Sequence, residues 1–310
     1  MVARLYGRAV SADSEVTVTP GATQAIFCAI QALFHPGDEV IVFDPCYDSY
    51  DPAVTLAGGR CVHVPLASGD FAIDWQRLGE ALSPRTRLII LNSPHNPSGA
   101  LITRAELDQL AALIRERDIY LISDEVYEHL VFDGVQHASV LAHEELYQRA
   151  LVVSSFGKTY HVTGWKTGYV VAPPALSSEL RKIHQYVSFC AVTPLQWALA
   201  DFMAEHPEHV DELPAFYQTK RDLFCDLLAS SRFTFTRAAG TYFQLVDYSA
   251  IRNDLDDVAM AEWLTREHGV AAIPVSVFYQ APPKDLRLVR FCFAKREDTL
   301  RQAAEKLCAI

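Results

Sequence analysis

The sequence predicts an α/β fold, with a mostly parallel sheet flanked by helices in a larger domain and a smaller α+β domain after it. Two observations lead to this prediction. Between residues 16 and 171, short aliphatic or β-branched runs alternate with stretches of helical periodicity. From residue 176 to 230 the pattern is helical, and the remainder mixes helices with short strands. Alternating strands and helices are typical of parallel sheets, which bind ligands at the carboxyl ends of their strands.

The elements of the first part follow from these patterns in chain order. Its predicted strands are aliphatic or β-branched and lie at residues 40–43, 62–64, 88–91, 120–122, 151–153 and 169–171. Its predicted helices have an apolar helical repeat and lie at residues 23–33, 75–82 and 103–117. Thr103 and Glu106 have the spacing of a capping box at the start of the third helix.

The second part is predicted to be helical and then mixed. Its elements are helices at residues 177–189, 194–205 and 208–229, strands at 234–235 and 242–246, a helix at 255–268, short apolar runs at 270–273 and 286–293, and a helix at 297–307. The third of these helices contains Pro214 near its start. We place the domain boundary near residue 206, which gives domains of residues 1–205 and 206–310. No low-complexity linker separates them, so we expect the domains to be tightly joined.

The composition is that of a globular protein with a sizeable core. The 310 residues are 50% hydrophobic and 21% charged, and the formal net charge is −11. This balance argues against nucleic acid as a partner, because phosphate binding needs clustered Lys and Arg. The seven cysteines are odd in number and lack metal-binding spacing, so we expect reduced thiols, no metal and a cytoplasmic location. No apolar run is long enough to span a bilayer, so no membrane partner is expected.

One lysine lies in a short polar stretch between two predicted strands. Lys158 has Ser155 three positions before it and Lys166 eight positions after it. A lysine in such a stretch is commonly a solvated surface charge. A second cation nearby makes it easier for an amine to lose its proton, and a neutral amine can form a Schiff base with an aldehyde. The pattern alone allows both interpretations of Lys158.

Small and aromatic residues at two strand ends are further candidates. Gly21, Ala22 and Thr23 directly precede a predicted helix, whose N-terminus suits a phosphate because its amide groups are unpaired. An ordinary helix cap looks the same. Tyr47 follows the first predicted strand, where it is either a half-buried aromatic residue or a surface on which a flat ring stacks.

Polar and charged residues next to other predicted strands complete the candidate set. Asn92 and Asn96 lie in the Pro- and Gly-rich turn NSPHNPSG, which is commonly only a turn. Asp124 ends a buried strand, so its carboxylate either caps the next helix or meets a cation. Arg290 is the one charged residue of the apolar run LVRFCF, where it forms a structural ion pair or binds a planar anion.

These segments together resemble a known family. The stretch SSFGKTYHVTGWKTGY around Lys158 is similar to the cofactor-lysine segment of the pyridoxal-phosphate (PLP) aminotransferases of classes I and II. This stretch and GVAAIPVSVFY near the C-terminus resemble the branch of methionine, glutamine and kynurenine aminotransferases, and the resemblance runs from about Tyr6 to Leu307. It implies the aspartate-aminotransferase-like fold, with PLP bound by residues 1–205.

The resemblance also implies a role for each candidate. Lys158 holds PLP as a Schiff base and moves the proton of the substrate α-carbon, Asp124 keeps the pyridine nitrogen charged, and Tyr127 contacts the phenolic oxygen. The remaining cofactor contacts come from Gly21, Ala22, Thr23, Tyr47, Asn96, Ser155 and Lys166. The substrate carboxylate is bound by Arg290, Asn92 and Asn96. Tyr47, Tyr160 and Phe278 are expected around the substrate side chain.

The implied activity is a ping-pong transfer of an amino group from an L-amino acid to a 2-oxo acid in a homodimer. Methionine, glutamine, kynurenine and aromatic amino acids all remain open as donors. Alternatives on the same fold are a cysteine-conjugate β-lyase or other PLP lyase, and a non-catalytic effector domain, although no basic DNA-binding module precedes the fold.

The position of Met1 within the family pattern leads to one more expectation. The family has roughly a further quarter of its length before this position, including a substrate-covering loop and a tyrosine that reaches the neighbouring subunit. We therefore expect a truncated form that binds PLP weakly and turns over poorly.

Overall fold

The larger sheet of the computed structural model, which describes residues 1–310, has seven strands in the order β1-β7-β6-β5-β4-β2-β3. In chain order the strands are β1 (Val16–Thr19), β2 (Glu39–Asp44), β3 (Arg60–Pro65), β4 (Thr86–Asn92), β5 (Tyr120–Asp124), β6 (Ala150–Ser154) and β7 (Gly168–Val171). Strands β3, β2, β4, β5 and β6 are mutually parallel, whereas β7 is antiparallel to both of its neighbours. The sheet is therefore mostly parallel, as the sequence predicts, with one reversed strand.

Helices cover both faces of this sheet. They are α1 (Val2–Tyr6), α2 (Ala12–Glu15), α3 (Ala22–Leu33), α4 (Tyr50–Leu56), α5 (Trp75–Ala81), α6 (Arg104–Ile114), α7 (Glu144–Tyr147), α8 (Phe156–Thr159), α9 (Pro174–Val187) and α10 (Thr193–Glu205). The capping box at α6 is confirmed, because Thr103 accepts from the backbone N–H of Glu106 and Glu106 accepts from that of Thr103.

The alternation of β-strand side chains builds one core layer on each face. In β2, Val40 and Val42 pack with α3, α4 and α9, whereas Ile41 and Phe43 pack on the opposite face with α5 and α6. All six residues of β2 are buried, as expected for a strand inside a sheet that is covered on both sides. This burial holds the end of β2, and the start of the loop that follows it, in place.

The second part of the chain packs helices against a three-stranded antiparallel sheet. Its elements are α11 (His209–Leu228), β8 (Phe243–Asp247), α12 (Ser249–Arg252), α13 (Asp257–His268), β9 (Ile273–Pro274), β10 (Leu288–Cys292) and α14 (Glu297–Cys308), with strand order β8-β10-β9. Its core also contains Tyr127, Leu130 and Phe132, which follow β5 of the larger sheet. The division near residue 206 stays a prediction, but the two parts share this segment.

The structure differs from the sequence-based expectation in short elements. Helix α4 was not predicted, because its seven residues include Pro52 and a β-branched Thr55, which are poor helix formers; in the structure it packs on both α3 and β3. Lys158, expected in a loop, lies in the four-residue helix α8. The expected strand at 234–235 is reduced to a single bridge between Thr234 and Asp247.

Two further observations concern the whole chain. No helix combines the length and the hydropathy needed to cross a bilayer. All seven cysteines are free thiols, and four of them, Cys28, Cys46, Cys61 and Cys225, are buried.

Candidate active site

All the residues predicted from the sequence to hold the cofactor or the substrate carboxylate line one cavity of about 340 Å³. These residues are Gly21, Ala22, Thr23, Tyr47, Asn92, Asn96, Asp124, Tyr127, Ser155, Lys158, Lys166 and Arg290. Most follow the carboxyl ends of β2, β4, β5 and β6, whereas Arg290 comes from β10 of the smaller sheet. The cavity therefore lies where the two sheets meet.

One end of the cavity is a cup formed by the start of α3 and the turn before β7. Gly21 has φ of 83° and precedes the first residue of α3, so unpaired amide groups of this helix face the cup. Lys166 has φ of 51°, and its side chain passes the Gly21 backbone. A Cβ at Gly168 would lie 2.7 Å from the Ser154 carbonyl oxygen and 3.0 Å from the Ala22 nitrogen. The absence of a side chain at Gly168 thus lets the two segments meet and close the cup.

The centre of the cavity contains Lys158 between two tyrosines. Lys158 Nζ donates a hydrogen bond to the Tyr242 hydroxyl at 2.9 Å. It also lies 5.8 Å from the ring centre of Tyr127 and 5.6 Å from that of Tyr242. The Tyr127 and Tyr242 rings contact each other edge to face, with centres 5.2 Å apart. The lysine amine is therefore held by aromatic side chains and not by a carboxylate, which leaves it available to an electrophile.

The far side of the cavity contains the buried carboxylate of Asp124, which is 3% exposed. Its Oδ2 accepts from the Tyr50 hydroxyl at 2.6 Å and its Oδ1 from the Val126 amide at 3.3 Å. Burial raises the pKa of Asp124 to about 6, although these two hydrogen bonds partly counter the rise. A cation placed against this carboxylate would restore its charge, because an opposite charge favours the ionised form.

Because of this raised pKa, the stability of the cofactor-free protein should fall as the pH rises. Burial raises the pKa of Asp124 from 3.8 to about 6, so between these values the folded chain holds a proton that the unfolded chain has lost. The bound proton adds to the free energy of unfolding. This stabilisation is complete below the lower pKa value and is lost as the pH rises through the window, by roughly 3 kcal/mol in total. Asp124→Asn removes the titration, so we expect its unfolding free energy, measured by urea unfolding, to fall less across this window than that of the parent. Parallel curves for the two proteins would contradict the assignment.

The mouth of the cavity contains an arginine without a carboxylate partner. Arg290 is half-buried, its Nη1 donates to Asn96 Oδ1 at 2.5 Å, and its guanidinium lies 3.9 Å from the ring centre of Phe243. Burial lowers the pKa of Arg290. Asn92 fixes the turn, because its Nδ2 donates to the Asp124 carbonyl at 2.9 Å and its Oδ1 accepts from the Asn96 amide at 2.8 Å. The structural ion pair considered for Arg290 is absent, so its guanidinium can bind an external carboxylate.

The aromatic residues expected around the substrate lie in two places. Tyr47 and Phe278 line the cavity, and the Tyr47 hydroxyl is 3.3 Å from Thr23 Oγ1. Tyr160 does not line it, because its ring stacks on His209 with centres 5.1 Å apart. The expectation that Tyr160 surrounds the substrate is therefore wrong.

The donor set fits PLP. A dianionic phosphate fits the cup, which supplies helix amides, the Ser155 hydroxyl and the Lys166 ammonium. At the opposite end, Asp124 lacks a cation that a protonated ring nitrogen would supply. Lys158 lines the same cavity, where its amine can meet an aldehyde carbon. The residues present can therefore hold each charged part of the group.

Sequence reasoning missed two side chains that support the site. Tyr242 contacts Lys158, and Tyr50 contacts Asp124. Both are aromatic residues that pack in a core, so only their partners distinguish them. Tyr50 lies three positions after Tyr47 on the same turn, which was the one available signal.

Comparisons with known proteins place these observations in a family. The family described as aminotransferase class I and II matches residues 1–307. The methionine aminotransferase of Escherichia coli strain K12 is 55% identical over 98% of this chain and 78% of its own length. Kynurenine–oxoglutarate transaminase 3 of Rattus norvegicus is 38% identical over 97% of this chain and 72% of its own. A crystal structure of an Escherichia coli protein with a methionine aminotransferase function matches with a TM-score of 0.97 and 53% identity, covering 100% of this chain and 81% of that one.

Proposed function

Because the chain belongs to the class I and II aminotransferase family and is an enzyme of the transferase class, we propose that it moves the amino group of L-methionine to a 2-oxo acid. The fold is that of aspartate aminotransferase, in agreement with the sequence-based prediction. The observation that carries the proposal is the unpaired Arg290 guanidinium, which faces the same cavity as the Lys158 amine. This pairing suits a substrate with an α-carboxylate next to a reacting carbon.

We propose PLP as the cofactor, since members of this family use it. When bound, PLP supplies an electron-withdrawing ring that stabilises negative charge at the substrate α-carbon. Gly21, Ala22, Thr23, Ser155 and Lys166 would hold its phosphate. Asp124 would hold its ring nitrogen, Tyr47 would cover one face of the ring, and Asn96 and Tyr127 would contact its phenolic oxygen. The remaining chemistry belongs to side chains of this chain.

The substrate is oriented from the cavity mouth. Arg290 presents a planar guanidinium to the α-carboxylate. The side-chain amide of Asn96, whose oxygen accepts from Arg290, is the second contact to this carboxylate, and Asn92 supports it by accepting from the Asn96 backbone amide. This hold directs the α-hydrogen towards Lys158 Nζ, which takes the proton as general base and later returns it as general acid. Tyr242 positions the amine, because its hydroxyl accepts the Lys158 hydrogen bond.

The choice of methionine rests on similarity and on the lining of the cavity. The relative with 55% identity is a methionine aminotransferase. Phe243 and Phe278 provide aromatic surfaces beside Arg290, Tyr47 lines the same cavity, and a thioether packs favourably against such rings. Kynurenine presents an aromatic ring to the same surfaces, so it is the second donor to test.

The proposal is tested by following the half-reaction in the purified protein loaded with PLP. We expect L-methionine to remove the visible absorbance band and to give the corresponding 2-oxo acid, identified by mass spectrometry. L-Methionine should react faster than L-glutamine and L-kynurenine. Adding a 2-oxo acid should restore the band. Release of ammonia without a restorable band would contradict transamination and indicate a lyase, and a faster reaction of another donor would overturn the preference for methionine.

A homodimer and a cytoplasmic location also belong to this proposal. The end of α9, the turn that follows it and the first half of α10 expose large apolar side chains, with Tyr186 87%, Phe189 73% and Trp197 68% exposed. An apolar patch of this kind marks an interaction site on a globular protein, and a second copy is the partner we propose. A monomer in sedimentation equilibrium would contradict this.

The cytoplasmic location is supported by the cysteines. All seven are free thiols, as expected in a reducing compartment.

A further inference from the structure

A cluster of metal-ligating side chains lies outside the cavity, between β3 and α4. Cys61 and His63 alternate along β3 and so share one face of the strand, and Asp51 faces them from the first turn of α4. One ligand atom from each of these three residues lies within 4.8 Å of the others. Asp44 and Cys46 lie on the other side of the same imidazole.

Only one of the two ring nitrogens of His63 is available to bind a metal. Its Nδ1 lies 2.7 Å from Asp44 Oδ1, and because a carboxylate only accepts, Nδ1 carries the hydrogen. Its Nε2 is buried in a side chain that is only 8% exposed and makes no hydrogen bond, although Asp51 Oδ2 lies 3.5 Å away. A carboxylate behind a histidine, with the other ring nitrogen free, is the arrangement that orients metal-binding histidines.

We propose that His63 Nε2, Cys61 Sγ and Asp51 bind a divalent metal of the zinc class, with Asp44 orienting the histidine. Imidazole, thiolate and carboxylate are the three ligand types that zinc takes in proteins. Ligand atoms around tetrahedral zinc are about 3.3 to 3.8 Å apart, given bonds of about 2.0 to 2.3 Å. Asp51 Oδ2 already lies 3.5 Å from His63 Nε2. Water completes the coordination.

The proposed metal site can be reached from solvent in the folded protein. Asp51 has a side chain that is 43% exposed, so the metal can enter from solvent past this carboxylate, whereas Cys61 is buried. A metal here would join α4 to β3. Since Tyr47 lies in the segment between β2 and α4, the same metal would stiffen the support of the aromatic wall of the cavity.

The test is a calorimetric titration of the PLP-loaded protein with zinc chloride, together with zinc-edge X-ray absorption. We expect one equivalent to bind, with one sulfur neighbour. His63→Gln and Cys61→Ser each lose a ligand, so zinc affinity should fall at least about 100-fold, and Asp44→Asn should weaken it about 10- to 100-fold. Zinc should raise the melting temperature of the parent and leave that of His63→Gln unchanged.

Matched controls separate this site from ordinary thiol binding. Cys190→Ser removes an exposed thiol and Cys28→Ser a buried one, and neither should change the affinity. Cys61 does not line the cavity, so Cys61→Ser should retain the methionine half-reaction, which also shows that it is folded. Absence of zinc binding, or equal losses in Cys190→Ser, would overturn the proposal. So would a loss in Cys46→Ser without one in Cys61→Ser, because it would place the metal on the other side of His63.

Discussion

Lys158→Ala is expected to abolish amino-group transfer and to remove the visible absorbance of the PLP-loaded protein. General acid–base catalysis alone contributes about 10²- to 10⁴-fold, and the proposed covalent attachment of the cofactor to Lys158 is lost as well, so kcat should fall by at least about 10³-fold. Lys158 is the amine at the centre of the cavity, and the Tyr242 hydroxyl is its hydrogen-bond partner. The measurement is an absorbance spectrum with a stopped-flow half-reaction.

Two further variants make this result specific. Lys182→Ala removes an exposed lysine whose side chain is 64% accessible and pairs with Glu179, so it should behave like the parent. Tyr242→Phe keeps Lys158 but removes one hydrogen bond to its amine, so we expect the band to remain and kcat to fall about tenfold with little change in KM. If Lys158→Ala retains the band and Lys166→Ala loses it, the two lysines have exchanged roles.

Arg290→Gln is expected to lower kcat/KM for L-methionine by about 10²- to 10³-fold. Removing one partner of a buried charge pair typically costs about 2 to 5 kcal/mol. Arg290 has no carboxylate partner within the protein, so its substitution removes the pairing with the substrate carboxylate directly. The visible band should be retained, since Arg290 lies at the cavity mouth and the proposed cofactor contacts come from the larger sheet. Steady-state kinetics with a spectrum of the loaded protein would show both.

The chemistry of the substrate supplies the control for this prediction. The amine analogue of methionine, which lacks the α-carboxylate, should react equally slowly with the parent and with Arg290→Gln. Arg296→Gln removes an arginine whose side chain is 87% exposed and should leave methionine turnover unchanged. An equal loss for methionine and for its amine analogue would mean that Arg290 supports the fold and not the carboxylate.

The sequence predicted the long elements and the cavity lining because their signals are local. Runs such as 40–43 and 88–91 are apolar over their whole length, since both faces of those strands are buried. The residues of the cavity follow strand ends, and parallel strands bring their ends together at one edge of the sheet. The turn NSPHNPSG and the lysine segment added a family resemblance, which the comparisons confirm.

What the sequence did not predict depends on contacts between distant residues. Tyr242 is 84 positions from Lys158 and Tyr50 is 74 positions from Asp124, so neither pair leaves a local pattern. The four residues of α8 include a glycine and form a helix only in their tertiary setting. His63 and Asp51 likewise become partners through the packing of α4 on β3, a helix that was itself not predicted.

Residues from both sheets line the one cavity, so the two sheets contribute different contacts to the site. The proposed cofactor contacts lie on the larger sheet, and Arg290 lies on the smaller one. If the smaller sheet opens locally while the larger one persists, the protein keeps its cofactor and releases its substrate. Mildly destabilising substitutions in the core around β10, far from the reacting atoms, should therefore raise KM. Only more strongly destabilising ones should also remove the visible absorbance of the bound cofactor.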